Sequence, residues 1–238
     1  VIFNLKDENK LNISAENSKF NLLCLPVDNF PNFSDNFDEG EILLESKAFL
    51  SLLKKSRVSM SNDETRHYLN GIYIHVNEIN GKNFLTGVST DSHRLSSSSM
   101  ILKNSVVPKS FILPKKTVFQ LCSLLENSLE NISVLTSDTK VQFKIGNTKI
   151  TSKIIDGKFP DYKKVVPKNN SRILSVNAKD LINSVERVTT VSLDKKEGVK
   201  IILDKNNIQL FVNSSTSGEG KENLSAEYNS EQLTVSFN

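Results

Sequence analysis

The chain repeats itself, and a repeat of domain size constrains the fold before any single motif is read. The segment LPVDNFPNF (25–33) carries Phe30, Pro31, Asn32 and Phe33, and IIDGKFPDY (154–162) carries Phe159, Pro160, Asp161 and Tyr162. Phe30 and Phe159 stand 129 residues apart. Upstream of each lies a turn-punctuated pair of strands with alternating apolar residues, VIFNLKDENKLNISAENSKFNLLCL and ISVLTSDTKVQFKIGNTKITSKII. A second pair, ILLESKAFLSLLKKSRVSMS (42–61) and RILSVNAKDLINSVERVTTVS (172–192), reads in both copies as a short strand, a residue suited to N-capping (Ser46, Asn177) and an amphipathic helix. Ser46 and Asn177 are 131 residues apart, so two independent intervals agree on one domain-sized period.

The phase of the repeat predicts three pieces: residues 1–38 match the end of a copy, 39–168 a complete copy, and 169–238 the beginning of a third. On this reading the chain, which opens on Val1 and ends at VSFN, is a fragment of a longer protein with three copies. Within the complete copy the predicted order is a strand, a helix over about 46–60, and strands in YLNGIYIHVNE, NFLTGVSTDS and HRLSSSSMIL. A Pro-started helix over about 114–126 and strands in ISVLTS, VQFKIG and KITSKII follow. This is an α+β pattern, antiparallel sheet covered on one side by two helices. In the first helix Phe49, Leu52, Leu53, Ser56 and Met60 share a face, with Lys47, Lys54 and Lys55 opposite.

Composition removes several function classes. No apolar run approaches the roughly 20 residues of a membrane span and no signal-peptide pattern opens the chain, so the expected location is the cytoplasm. Cys24 and Cys122 have no metal-ligand spacing and only three histidines accompany them, so both read as buried thiols and no metal site is expected. No glycine-rich nucleotide loop is present and no cofactor is implied. The net charge of +3 excludes histone-like binding but leaves room for a local basic surface.

Three candidate sites remain. Asp91, Ser92 and His93 are the residue types of a hydrolase triad, but neighbours on a strand alternate between faces and cannot converge, and no G-x-S-x-G elbow surrounds Ser92. The second candidate is basic: Lys47, Lys54, Lys55 and Arg57 on one helix, Lys115 and Lys116 on the next, Lys179 and Arg187 on the helix of the following copy. Repeated around several copies, these would form a positive track for a phosphate backbone, read without regard to base sequence. The third is a peptide groove with Leu69, Leu95, Pro160 and Val165 as apolar floor beside Tyr68, Thr90, His93 and Arg94, with core packing, taken residue by residue, the preferred account of Leu69 and Leu95.

The runs RHYLNGIYI (66–74), TDSHRL (90–95) and SKIIDGKFPDYKKVVP (152–167) resemble, in order and spacing, the β subunit of bacterial DNA polymerase III, the sliding clamp family. The resemblance runs along essentially the whole chain. It implies three α+β copies per chain and a six-domain ring closed by two chains, with helices lining a central channel for duplex DNA and sheets outside. The function implied is not catalytic: a homodimeric ring tethers the polymerase III catalytic subunit, and the clamp loader and other clients bind it through short, partly apolar peptides. The basic faces become the channel wall, with Arg66 and His67 also approaching DNA. One side of the client-peptide pocket becomes Tyr68, Leu69, Thr90, Ser92, His93, Arg94, Leu95, Pro160 and Val165. This chain departs from the family in having Ser92 where glycine is usual and His67 where an aromatic is common, and the serine is expected to narrow the pocket or stiffen its turn. With parts of the first and third copies missing, the chain is expected not to close a ring by the normal contacts.

Overall fold

The structure is a computed structural model of the 238-residue chain, and it describes all residues except 8, 31–36, 38–39, 104–106, 129, 194–196 and 238. It divides into two compact units, Val1–Pro160 and Asp161–Asn238. Three residues of the first phenylalanine–proline motif, 31–33, and the expected boundary at 38/39 lie outside the described residues.

The first unit begins with a three-stranded antiparallel sheet of β1 (Ile2–Asp7), β2 (Lys10–Ala15) and β3 (Ser18–Leu23). Then come β4 (Ile42–Leu44), α1 (Ser46–Ser56), β5 (Gly71–Ile79), β6 (Lys82–Thr90) and β7 (Leu95–Ile101). The same series follows again as β8 (Phe111–Pro114), α2 (Lys115–Leu125), β9 (Ile132–Thr136), β10 (Lys140–Ile145) and β11 (Thr148–Lys153). The sheets are ordered β7-β6-β5-β8 and β11-β10-β9-β4, so each half lends its first strand to the sheet of the other. This exchange makes the stretch from β4 to β11 an internal pair of strand–helix–three-strand motifs, a second level of repetition. The hairpins β2–β3 and β10–β11 recur at a spacing of 130 residues at both ends of both strands.

Local chemistry explains the elements. Asn80 and Gly81, with φ of 53° and 70°, supply the two left-handed residues that a tight turn between β5 and β6 requires. On α1 the buried positions are Ser46, Phe49, Leu52, Leu53 and Ser56, one stripe at helical spacing. Phe49 stacks on Phe143 with centroids 6.0 Å apart. The helix lies so close to β6 that a β-carbon on Gly87 would sit 2.6 Å from Leu52 Cδ2. Ser56 Oγ donates to the Gly87 carbonyl at 2.9 Å, satisfying a polar group inside the contact. On α2 the buried stripe is Thr117, Val118, Leu121, Cys122 and Leu125.

In the second unit, α3 (Ala178–Val188) is followed by β12 (Val199–Asp204), β13 (Asn207–Ser214), β14 (Gly218–Ser225) and β15 (Leu233–Phe237), in sheet order β14-β13-β12-β15. Its core is Val188, Val199, Leu203, Ile208, Leu210, Val212 and Tyr228.

The α+β class and antiparallel pairing agree with expectation, while several details differ. α1 ends at Ser56 and tightens into a 3-10 turn, Arg57–Ser59, so Met60 is buried beyond the helix rather than on its face. Asn177 caps α3, its Oδ1 accepting from the Lys179 and Asp180 backbone N–H groups, but Ser46 caps nothing. Ser46 is the first helical residue and is buried, and its hydroxyl donates to the Glu130 carbonyl. Residues 68–70 are not strand; a 3-10 segment, Glu64–Leu69, precedes β5. The short strand β8 was not foreseen.

Candidate functional site

Three segments of the first unit meet around Ser92 and Tyr68. The first is the 3-10 segment Glu64–Leu69, interrupted at Arg66 by non-helical backbone (φ −112°, ψ 56°). Its start is set by Asp63, whose carboxylate accepts from Thr65 N at 2.9 Å, Thr65 Oγ1 at 2.6 Å and Arg66 Nε at 2.8 Å. These donors, Thr65 foremost and then Arg66, hold the Asp63 carboxyl at about 2.

The second segment is the turn between β6 and β7. Asp91 Oδ1 accepts from the backbone N–H of His93 and of Arg94, both at 3.0 Å, and Oδ2 accepts from Arg94 Nε at 3.0 Å. Desolvation pushes the Asp91 carboxyl up, but the Arg94 and His93 N–H groups and the Arg94 guanidinium outweigh it and leave the group at about 2. Thr90 Oγ1 accepts from Ser92 N at 3.1 Å and donates to the Arg94 carbonyl at 2.7 Å. Ser92 sits at φ +80°, in the left-handed region where glycine is at ease and serine is not.

The third segment follows β11. Phe159 is buried and stacks on Tyr73 with centroids 5.0 Å apart, which anchors the loop ahead of Pro160. Gly157, at φ +143°, passes so near that an added β-carbon would be 3.1 Å from Tyr68 Cβ. The segments are tied to one another at two points. Arg66 Nη1 donates to Ser92 Oγ at 2.6 Å, and His67 Nε2 lies 3.1 Å from the Asp156 carbonyl, to which it can only donate.

This geometry disposes of the triad for a different reason from the one expected. Asp91–Arg94 is a turn rather than a strand, so alternation does not apply. Instead the Asp91 carboxylate is consumed by the turn's own N–H groups, and the Ser92 hydroxyl faces Arg66 rather than an imidazole. Of the expected pocket residues, Tyr68, Thr90, Ser92, His93, Arg94, Leu95 and Pro160 are at least partly exposed around this junction. Leu69 is 2% exposed and supports the rim from within the core. Val165 belongs to the second unit, where it follows the 3-10 turn Tyr162–Lys164 and is exposed. Arg66 and His67, expected on the DNA side, are both engaged with the rim segments.

The basic residues fall into two groups. The side chains of Lys47, Lys55, Lys116 and Lys179 are exposed and make no hydrogen bond or ion pair among the described residues. The others are engaged: Lys54 Nζ with Glu126 at 2.7 Å, Lys115 with Asn62, Arg187 Nε with Glu222 at 3.0 Å, and Arg57 over the Phe119 ring at 5.2 Å. Lys54 lowers the Glu126 carboxyl, and Glu222 raises the Arg187 guanidinium further. Lys54 and Lys55 close the last turn of α1, where positive charge suits the helix dipole. Lys115 and Lys116 open α2, with no acidic residue in that turn and no side-chain cap, where the dipole disfavours them.

Sequence profiles of known families match this chain in two consecutive blocks. Residues 43–161 match the central domain of the DNA polymerase III beta subunit, and residues 163–238 match its C-terminal domain. The chain belongs to the DNA polymerase III β-subunit family. A beta sliding clamp of Caulobacter vibrioides is 35% identical over 233 residues, covering 98% of this chain and 63% of that protein. The Escherichia coli beta sliding clamp is 30% identical, covering 95% and 61%. Among solved structures, a Caulobacter crescentus beta sliding clamp with PEG bound superposes with a TM-score of 0.93 at 34% identity, covering 99% of this chain and 63% of that one. A Bartonella birtlesii sliding clamp bound to griselimycin gives 0.90 at 36%, covering 98% and 63%. The chain thus spans a little under two thirds of these family members.

The sequence reading missed both ties between the rim segments. A local signal existed for the turn itself: an Asp at the head of a polar run, able to accept from the N–H groups two and three residues on, is the pattern of an Asx-type turn.

Proposed function

We propose that this chain forms most of a DNA sliding clamp, a non-catalytic cytoplasmic protein that surrounds duplex DNA as a homodimeric ring and tethers the replicative polymerase. The observation that carries the reading is the unbroken succession of central-domain and C-terminal-domain matches over residues 43–161 and 163–238. The boundaries 1–38, 39–168 and 169–238 are the domain division proposed with it. The lysines support the DNA half. The side chains of Lys116 and Lys47 are unpaired among the described residues, and Lys115 and Lys116 stand at a helix start where they cost helix stability, an arrangement that suits attraction of phosphate. Among the described residues these lysines stand without a base-reading constellation beside them, which favours sliding over sequence recognition.

The junction of the Glu64–Leu69 segment, the Thr90–Leu95 turn and the loop ahead of Pro160 is the proposed near side of a client-peptide pocket. Its clients would be the polymerase III catalytic subunit, the clamp loader and other proteins carrying a short apolar motif. A ligand-bound relative, the Bartonella birtlesii clamp with griselimycin, supports a small-ligand site in the family. The test is primer extension on a long single-stranded circle by the polymerase III catalytic subunit and clamp loader, with and without the intact gene product. Longer products per binding event are expected with it. Unchanged product length overturns the proposal.

A further inference from the structure

Ser92 occupies a backbone conformation that a side chain disfavours, at φ +80°. The hydroxyl it carries is used: Ser92 Oγ accepts from Arg66 Nη1 at 2.6 Å. Arg66 Nε is held at the same time by Asp63 Oδ2 at 2.8 Å, and Asp63 is fixed in turn by the Thr65 N–H and hydroxyl. Two nitrogens of one planar guanidinium are thereby fixed from two loops, which leaves the long arginine side chain a single orientation. The third nitrogen, Nη2, has no hydrogen-bond partner among the described residues. The next residue secures the loop from its other side, through His67 to the Asp156 carbonyl. Arg66 therefore stands on the rim with one pair of N–H donors unspent and its rotamer already chosen.

We propose that Ser92 is a positioning residue of the peptide pocket: its hydroxyl locks Arg66 so that the free Nη2 donates to an acceptor oxygen of the bound peptide. This inference rests on the pocket reading above and adds to it a residue that selects ligands. An arginine that must be ordered at the moment of binding costs affinity, and one held in advance does not. Glycine at this position would ease the backbone but release the guanidinium, so the serine exchanges local strain for a fixed donor.

The experiment uses the intact gene product with griselimycin as probe, reading the dissociation constant by calorimetry and thermal stability by circular dichroism. Ser92→Gly is expected to keep or raise the melting temperature while binding griselimycin about tenfold more weakly. Ser92→Ala keeps the strain and loses the tie, so it is expected to lower both. Arg66→Ala is expected to weaken binding at least as much as Ser92→Gly, and adding Ser92→Gly to it is expected to change nothing further. Loss of affinity at undiminished stability is a result a merely structural role would not give. Equal or tighter binding by Ser92→Gly, or additive effects of the two substitutions, overturns the role of Ser92 alone. Failure of the parent protein to bind griselimycin overturns the pocket reading, and this role with it.

Discussion

If the helix lysines meet phosphate, they should differ in a way set by their partners. Lys47, Lys55, Lys116 and Lys179 are exposed and unpaired among the described residues, whereas Lys54 is 2.7 Å from Glu126. A lysine that neutralises one phosphate of duplex DNA releases counterions and contributes about 0.9 to the slope of log affinity against log salt. Replacing Lys47 or Lys116 by Gln is therefore expected to lower that slope by about 0.9, equivalent to an about 3.5-fold smaller loss of affinity between 50 and 200 mM salt. Lys54 brings its own carboxylate, so the charge-neutral double substitution Lys54→Gln with Glu126→Gln is expected to leave the slope unchanged. Glu126→Gln alone frees Lys54 and is expected to strengthen binding and steepen the slope. Their side chains are 41% and 53% exposed, so the pair itself adds little to folding and the variants should remain native. The assay is fluorescence anisotropy of a short labelled duplex across a salt series. A slope unaltered by Lys47→Gln and Lys116→Gln, but altered by the neutral double, would refute the assignment.

Other consequences concern the scaffold. Gly87→Ala places a methyl group 2.6 Å from Leu52 Cδ2, 3.0 Å from Ser56 Oγ and 3.1 Å from Ile72 Cγ2, and overpacking of this kind costs about 1–3 kcal/mol. A urea midpoint lowered at unchanged m-value is expected, and an unchanged midpoint would mean that α1 can move off β6 freely. Asn177→Ala removes both cap hydrogen bonds at the start of α3 and should cost about 1 kcal/mol in the same titration. For Asp91, the folded carboxyl lies at about 2 against an ordinary 3.8, so its contribution to stability is complete above 3.8 and disappears as pH falls towards 2. The urea-midpoint difference between the parent and Asp91→Asn should accordingly be constant at neutral pH and shrink below 3.8. A difference that grows on acidification would contradict the hydrogen bonding described for this turn.

The readable parts of this fold were those written at short range or repeated. The hairpins β2–β3 and β10–β11 carry the same alternation at the same spacing, and the stripe of Phe49, Leu52, Leu53 and Ser56 declares α1 by period alone. What the sequence concealed depends on partners far along the chain. β8 is only Phe111–Pro114, too short to show alternation; both it and β4, the short strand that the repeat did announce, pair into the sheet of the opposite half, which nothing local declares. Ser46 has the chemistry of a cap, yet burial against the Glu130 carbonyl takes its hydroxyl instead. At the candidate pocket the residue types were legible, whereas the link from Arg66 to Ser92 joins positions 26 apart through a backbone twist that no periodicity announces.

A ring that encircles DNA is held by topology, so cutting a circular DNA must release it. The intact gene product is assembled with its clamp loader on a nicked circular duplex, freed of unbound protein by gel filtration, and the circle is then cut once with a restriction enzyme. The protein is expected to stay with the circle through filtration in high salt and to leave soon after linearisation, by sliding off the ends. Release at the same rate before and after cutting would mean that the protein holds DNA by contact alone and does not encircle it.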